Sequence, residues 1–129
     1  MNILVFGHSV IDKINYGKGE IIKPGGIFYT IAALVNITDS KDNIYVCTTI
    51  DEVHEIFFSS IYKRIKPNYI SYTSNIPVVK LNIFTNRERE EKYENVTGNL
   101  QFNISDLNRF DGILINMITG FDLSIKQLR

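Results

Sequence analysis

The sequence has a single cysteine, no net charge and no long apolar run, and each absence removes a class of protein. Cys47 has no partner in the chain, which excludes a disulfide framework, and its place in the apolar run 44–50 suits a buried thiol in a reducing compartment. Fourteen basic side chains balance fourteen acidic ones, leaving no electrostatic footprint for nucleic acid or an anionic membrane surface. No apolar stretch approaches the roughly 18 residues of a membrane-spanning helix. No basic region precedes the first apolar segment, residues 3–6, and Gly7 breaks it, so it reads as a strand and not as a signal peptide. A soluble cytoplasmic protein with neither nucleic-acid nor membrane partners is the expectation. Repeats and low-complexity linkers are also missing, and 129 residues with 44% hydrophobic content suit one domain with a packed core.

Familiar phosphate and metal motifs are absent too. Gly7, Ser9 and Asp12 fall on the three glycine positions of a dinucleotide fingerprint, so side chains would meet the phosphates at two of them. Gly17-Lys18-Gly19 lacks the first glycine and the hydroxyl of a P-loop. His8, His54 and Cys47 are not spaced as metal ligands, and no metal site is expected. His54 reads as a helix-surface residue, Asp51, Glu52 and Glu55 as cap and dipole partners, and the charged run 87–92 as a solvated hairpin.

What is present is an alternation of strand and helix. Residues 3–6, 44–50 and 112–116 are short apolar runs of the kind buried in parallel sheets, and 69–72 forms another strand. Residues 13–23 predict two short strands around Tyr16-Gly17-Lys18-Gly19, outside the main core. Pro24-Gly25-Gly26 predicts a tight turn, and the nearly continuous apolar run 27–37 a helix buried on most of its circumference. That Gly-Gly turn is either an ordinary entry to a core helix or a binding element whose free N–H groups a ligand can approach. Asp51 caps a second helix, with Val53, Ile56, Phe57, Ile61 and Ile65 on its apolar face and Pro67 at its end. Residues 77–85 and 90–96 alternate as a hairpin, and a last helix begins near Asp122 and runs about two turns.

The order strand, Gly7, Asp12, mixed hairpin, Lys23-Pro24-Gly25-Gly26, buried helix, strand, Asp51, hairpin, strand resembles the N-terminal half of the ribokinase-like (PfkB-type) carbohydrate kinases. The stretches 89–100 and 116–122 are similar to a bacterial branch of that family. The resemblance covers essentially residues 1–129. It implies an α/β fold with a parallel-sheet core, helices on both faces and a small β lid, formed by segments at about 13–23 and 77–96 and truncated after the N-terminal half. In that family the lid closes over the sugar and often pairs with another subunit, so the resemblance implies a possible homodimer through the lid.

It also implies a set of substrate-binding residues. Asp12 takes the place of the acidic residue that binds sugar hydroxyls, a task suited to a carboxylate that accepts several charge-assisted hydrogen bonds. Gly25 and Gly26 let the backbone touch the sugar. Thr30 stands where the family usually has an asparagine, and Asn116 sits at the end of its strand, where ligands of open parallel sheets collect. The substrate class is a sugar or nucleoside. The family transfers the terminal phosphate of ATP with Mg2+, using a Gly-Ala-Gly-Asp motif in its C-terminal half; this sequence has no such motif, so no catalytic residue is assigned. Three readings follow: the sugar-binding part of a kinase, a non-catalytic sugar-binding or lid-mediated interaction module, or an unrelated small α/β domain that binds nucleotide.

Overall fold

A computed structural model describes residues 1–96, 98–124 and 126–127. Two four-stranded sheets organise the chain. The first is wholly parallel and contains β1 (Asn2–Phe6), β4 (Asn43–Ile50), β5 (Ile70–Tyr72) and β8 (Gly112–Ile115), in the order β5-β4-β1-β8. The second contains β2 (Ser9–Asn15), β3 (Glu20–Gly26), β6 (Val78–Asn82) and β7 (Glu90–Glu94), in the order β3-β2-β6-β7. Its central β2–β6 pair is parallel and its outer pairs are antiparallel.

Alternation along the central strands explains the layers. Val5, Ile44 and Val46 face helix α1 (Phe28–Ile37) and pack with Ile27, Ile31 and Val35. Leu4, Phe6 and Cys47 face the other way and pack with Leu100 and Leu123, beside an aromatic group that includes Tyr69, Phe102 and Phe110. The cover on that second side includes a 3₁₀ helix, Ile104–Arg109. Burial pushes the Cys47 thiol up to about 12, so it is an inert core side chain. A third cluster, Ile11, Ile50, Phe58, Ile76 and Val78, joins the two sheets through helix α2 (Glu55–Tyr62).

Several local expectations change. The hairpin strands run longer than 13–23, and Ile11 anchors β2 within the core rather than outside it. Pro24 and Gly25 lie inside β3, opposite Ile11 and Val10, because an edge strand tolerates a missing N–H donor. The chain leaves the strand only at Gly26, whose φ of +60° belongs to the left-handed region that glycine occupies freely. Helix α1 buries a single stripe, Ile27, Ile31 and Val35, while Tyr29, Ala33 and Ile37 are exposed, because the sheet covers only one side of it.

The apolar face of α2 also shifts. Val53 and Ile56 are 77% and 75% exposed, because the helix starts at Glu55 and turns Phe58 into the core. Strand β8 is an edge and not a buried strand, with Ile113, Leu114 and Ile115 exposed by 45%, 40% and 43%. No helix follows Asp122 among the described residues; Ile125, Leu128 and Arg129 lie outside them. No described helix is long and apolar enough to cross a membrane.

Candidate functional site

Asp12 points from β2 onto the face of the second sheet that it shares with Lys23 and Val79, its neighbours across the strands. Its carboxylate lies directly over Gly25, where any Cβ would collide with it, so glycine is what lets this carboxylate approach the β3 backbone. Asp12 is half-buried, and among the described residues no donor hydrogen-bonds its oxygens. Burial raises its pKa above the ordinary aspartate value; Lys23 opposes that effect and Glu91 adds to it. A half-buried carboxylate with no protein donor has acceptor positions left over for a ligand.

Immediately beyond, three segments converge on Gly26. A Cβ on Gly26 would strike the His8 carbonyl, and the Ile27 N–H donates to that carbonyl at 3.4 Å. Gly7, which ends β1, is held against the Ile27 side chain and the Asn116 carbonyl too closely for a Cβ. The Asn116 N–H continues the β8 ladder by donating to the Phe6 carbonyl at 2.9 Å, and its side-chain amide donates to the Thr30 hydroxyl at 2.7 Å. Thus Thr30 and Asn116, 86 residues apart, form one polar pair at the start of α1. The carboxyl ends of β1 and β8 and the amino end of α1 meet here, the usual ligand crevice of an open parallel sheet.

Below this surface lies a buried support absent from the sequence-based reading. Asp122 does not open a helix; its carboxylate accepts from the His8 N–H at 2.8 Å, His8 Nδ1 at 2.9 Å, and the Ile118 and Thr119 N–H groups at 3.1 and 3.0 Å. The Thr119 hydroxyl donates to it as well, at 3.1 Å. Both His8 and Asp122 are fully buried. Burial alone would raise the Asp122 carboxyl, but His8 and the N–H groups of His8 and Thr119 hold it well below the usual carboxylate range. Nothing local in the sequence marks His8 as the partner of Asp122.

Next along the chain, Ser9 bonds Thr48 at 2.9 Å and Tyr62 at 2.7 Å, tying β2 to β4 and α2. Asp51 does not cap α2, whose N-cap is His54; it closes the preceding turn by accepting from the His54 N–H at 2.7 Å, is buried and also accepts from the Ile76 N–H at 2.9 Å. His54 is consequently no free surface residue, since its ring bonds the Asp51 carboxylate at 2.8 Å. The structure therefore brings Asp12 to Gly25 and Thr30 to Asn116, with Gly26 between the two pairs. Among the described residues, no group of three His, Cys, Asp or Glu side chains is placed to hold a metal ion.

No family model matches the chain, and no curated protein sequence matches it. Solved structures do. Ribokinase from Cryptococcus neoformans var. grubii serotype A, in complex with ADP, superposes with a TM-score of 0.66 and 11% identity, over 88% of this chain and 40% of that one. A pyrophosphate-dependent kinase of the ribokinase family gives 0.60 and 17%, over 91% and 41%. The Burkholderia thailandensis nucleoside kinase in complex with inosine gives 0.51 and 10%, over 73% and 36%. This chain spans less than half the length of each of these kinases. At such identities the likeness is one of fold, and the fold of this chain is ribokinase-like, shared with sugar and nucleoside kinases over part of their length.

Proposed function

We propose that residues 1–129 are the N-terminal, acceptor-binding part of a cytoplasmic carbohydrate kinase that transfers the terminal phosphate of ATP to a hydroxyl of a sugar or nucleoside. The second sheet, including the segments near 13–23 and 77–96, is its lid and the surface through which it pairs with a second copy. The observation that carries this reading is the half-buried Asp12 carboxylate, seated on Gly25 with no protein donor. In this role Asp12 accepts two neighbouring hydroxyls, and Gly25 and Gly26 keep side chains out of the acceptor's way. Asn116 and Thr30 present an amide and a hydroxyl at the α1 side. A closed lid keeps water from competing for the phosphate.

ATP supplies the phosphoryl group and Mg2+ neutralises its charge in such kinases. In this reading the residues of this chain bind and orient the acceptor, and no residue of it is assigned to ATP or Mg2+. The lack of a Gly-Ala-Gly-Asp sequence equally favours a second reading, a non-catalytic binding module built on the same site.

Equilibrium titration of the chain with ribose and inosine tests the site that both readings share. Saturable binding of at least one is expected, weakened tenfold or more by Gly25→Ala, whose methyl group displaces the Asp12 carboxylate. Unaltered affinity in Gly25→Ala would remove the site. Phosphate transfer on adding the remainder of such a kinase separates the first reading from the second.

A further inference from the structure

One carboxylate joins the two segments that flank the site. Asp122 Oδ1 accepts from the His8 N–H at 2.8 Å and from His8 Nδ1 at 2.9 Å. Asp122 Oδ2 accepts from the Ile118 and Thr119 N–H groups, so its two oxygens tie the end of β1 to the turn that follows β8. Because a carboxylate only accepts, the His8 ring proton sits on Nδ1. Among the described residues His8 Nε2 is buried with no hydrogen-bond partner, and a proton there would be a donor without an acceptor. The whole ring is buried, so it acts on a ligand only through its neighbours.

Those neighbours are the residues of the site. The His8 carbonyl accepts from the Ile27 N–H and fills the space that a Gly26 Cβ would need. Ile27 directly precedes α1, and Thr30 lies in the first turn of that helix. On the other side, Asn116 stands two residues before Ile118 and presses its carbonyl on Gly7. The Asn116–Thr30 bond therefore spans two segments that are both fixed to Asp122, one of them through His8. Hydrogen bonds to a charged carboxylate are the stronger kind, and losing the one from Nδ1 frees these segments to shift against each other. A shift of about 1 Å is enough to cost a positioned ligand much of its affinity.

We propose that His8 is a positioning residue of the acceptor site, its Nδ1–H bond to Asp122 setting how Gly26 and Asn116 stand to each other. The proposal rests on the acceptor-site reading above and adds to it a residue that does not touch the ligand.

Substitutions separate the hydrogen bond from the bulk of the ring. Asparagine carries an N–H on the atom equivalent to Nδ1, glutamine carries it one bond further out, and leucine has none. Ribose and inosine are titrated into the unaltered chain, His8→Asn, His8→Gln and His8→Leu, with urea midpoints taken so that only folded proteins are compared. His8→Asn is expected to bind within about threefold of the parent, and His8→Gln and His8→Leu about tenfold or more weakly. Equal losses in the asparagine and glutamine variants would show that the ring acts by packing alone, and no loss in any variant would show that it positions nothing. Either result overturns this inference and leaves the acceptor site standing. Where a variant fails to fold, 15N NMR of the imidazole in the unaltered chain decides: the proton is expected on Nδ1, and its signal is expected to shift as ribose or inosine saturates the site. A proton on Nε2, or an Nδ1 signal indifferent to saturating ligand, overturns the inference too. If the unaltered chain binds neither probe, the acceptor-site reading itself fails, and this inference with it.

Discussion

Asp12→Asn is expected to weaken acceptor binding by about 10- to 100-fold and, in the same protein, to raise stability at pH 7. The first effect follows from hydrogen bonds to a charged group, each contributing about 1.5–3 kcal/mol. The second follows from the sign of the pKa shift. Burial, the largest influence, raises the folded-state pKa of Asp12 above the ordinary value of about 3.9. The folded state therefore binds this proton more tightly than the unfolded chain does. The favourable contribution is fully present below the unfolded value and is lost as pH rises through the folded one, so ionised Asp12 opposes folding at pH 7. Removing the charge relieves that opposition, and the advantage of the asparagine variant disappears below about pH 4. Urea unfolding of both proteins at pH 7 and pH 3.5 checks the second effect. A variant less stable than the parent at pH 7 would show that the carboxylate is engaged by the protein and not held open for a ligand.

Asp122→Ala is expected to be the most damaging single change to the fold, lowering stability by about 3–5 kcal/mol. The side chain satisfies donors from His8, Ile118 and Thr119, and its removal leaves the buried His8 groups and the part-buried Ile118 and Thr119 N–H groups without an acceptor. A loss of that size is a large fraction of the 5–15 kcal/mol typical of a domain. Because the folded pKa of Asp122 is lowered, its stabilisation is present above about pH 3.9 and is lost as pH falls through the folded value. The gap between parent and variant therefore narrows in acid. Urea midpoints at pH 7 that differ by the equivalent of less than about 1 kcal/mol would show that the buried carboxylate is dispensable.

Much of this could be read from the sequence where local pattern decides. Residues 3–6, 44–50 and 112–116 are apolar runs too short for helices, and all became parallel strands. Tyr16-Gly17-Lys18-Gly19 turns as expected, with the Gly17 N–H bonded to Asn15 Oδ1 at 2.7 Å. Asp12, Gly25, Gly26, Thr30 and Asn116 come from the family resemblance and not from local pattern; the structure sets Asp12 against Gly25 and bonds Asn116 to Thr30.

The rest depended on tertiary neighbours. The run 27–37 is apolar all round, so composition could not show that the sheet covers only its Ile27, Ile31 and Val35 stripe. Val53 and Ile56 fit a helical period, yet the helix begins after the first of them, and its starting phase decides which side is buried. Strand 112–116 reads as buried because every side chain in its middle is apolar; its edge position depends on the sheet order. Tyr93 lies in a charged hairpin that reads as solvated, and only the register through Val79 places it on the sheet face that carries Asp12. His8 and Asp122 are 114 residues apart, beyond any local signal.

The central claim is that Asp12 is an open carboxylate awaiting ligand hydroxyls, and a 13C titration of its carboxyl carbon tests it most directly, with and without inosine. The free protein should titrate above the ordinary aspartate value, as burial requires, and saturating inosine should lower that pKa, because hydroxyl donors favour the charged form. A pKa at or below the ordinary value in the free protein, or one unchanged by inosine at saturation, would contradict the account.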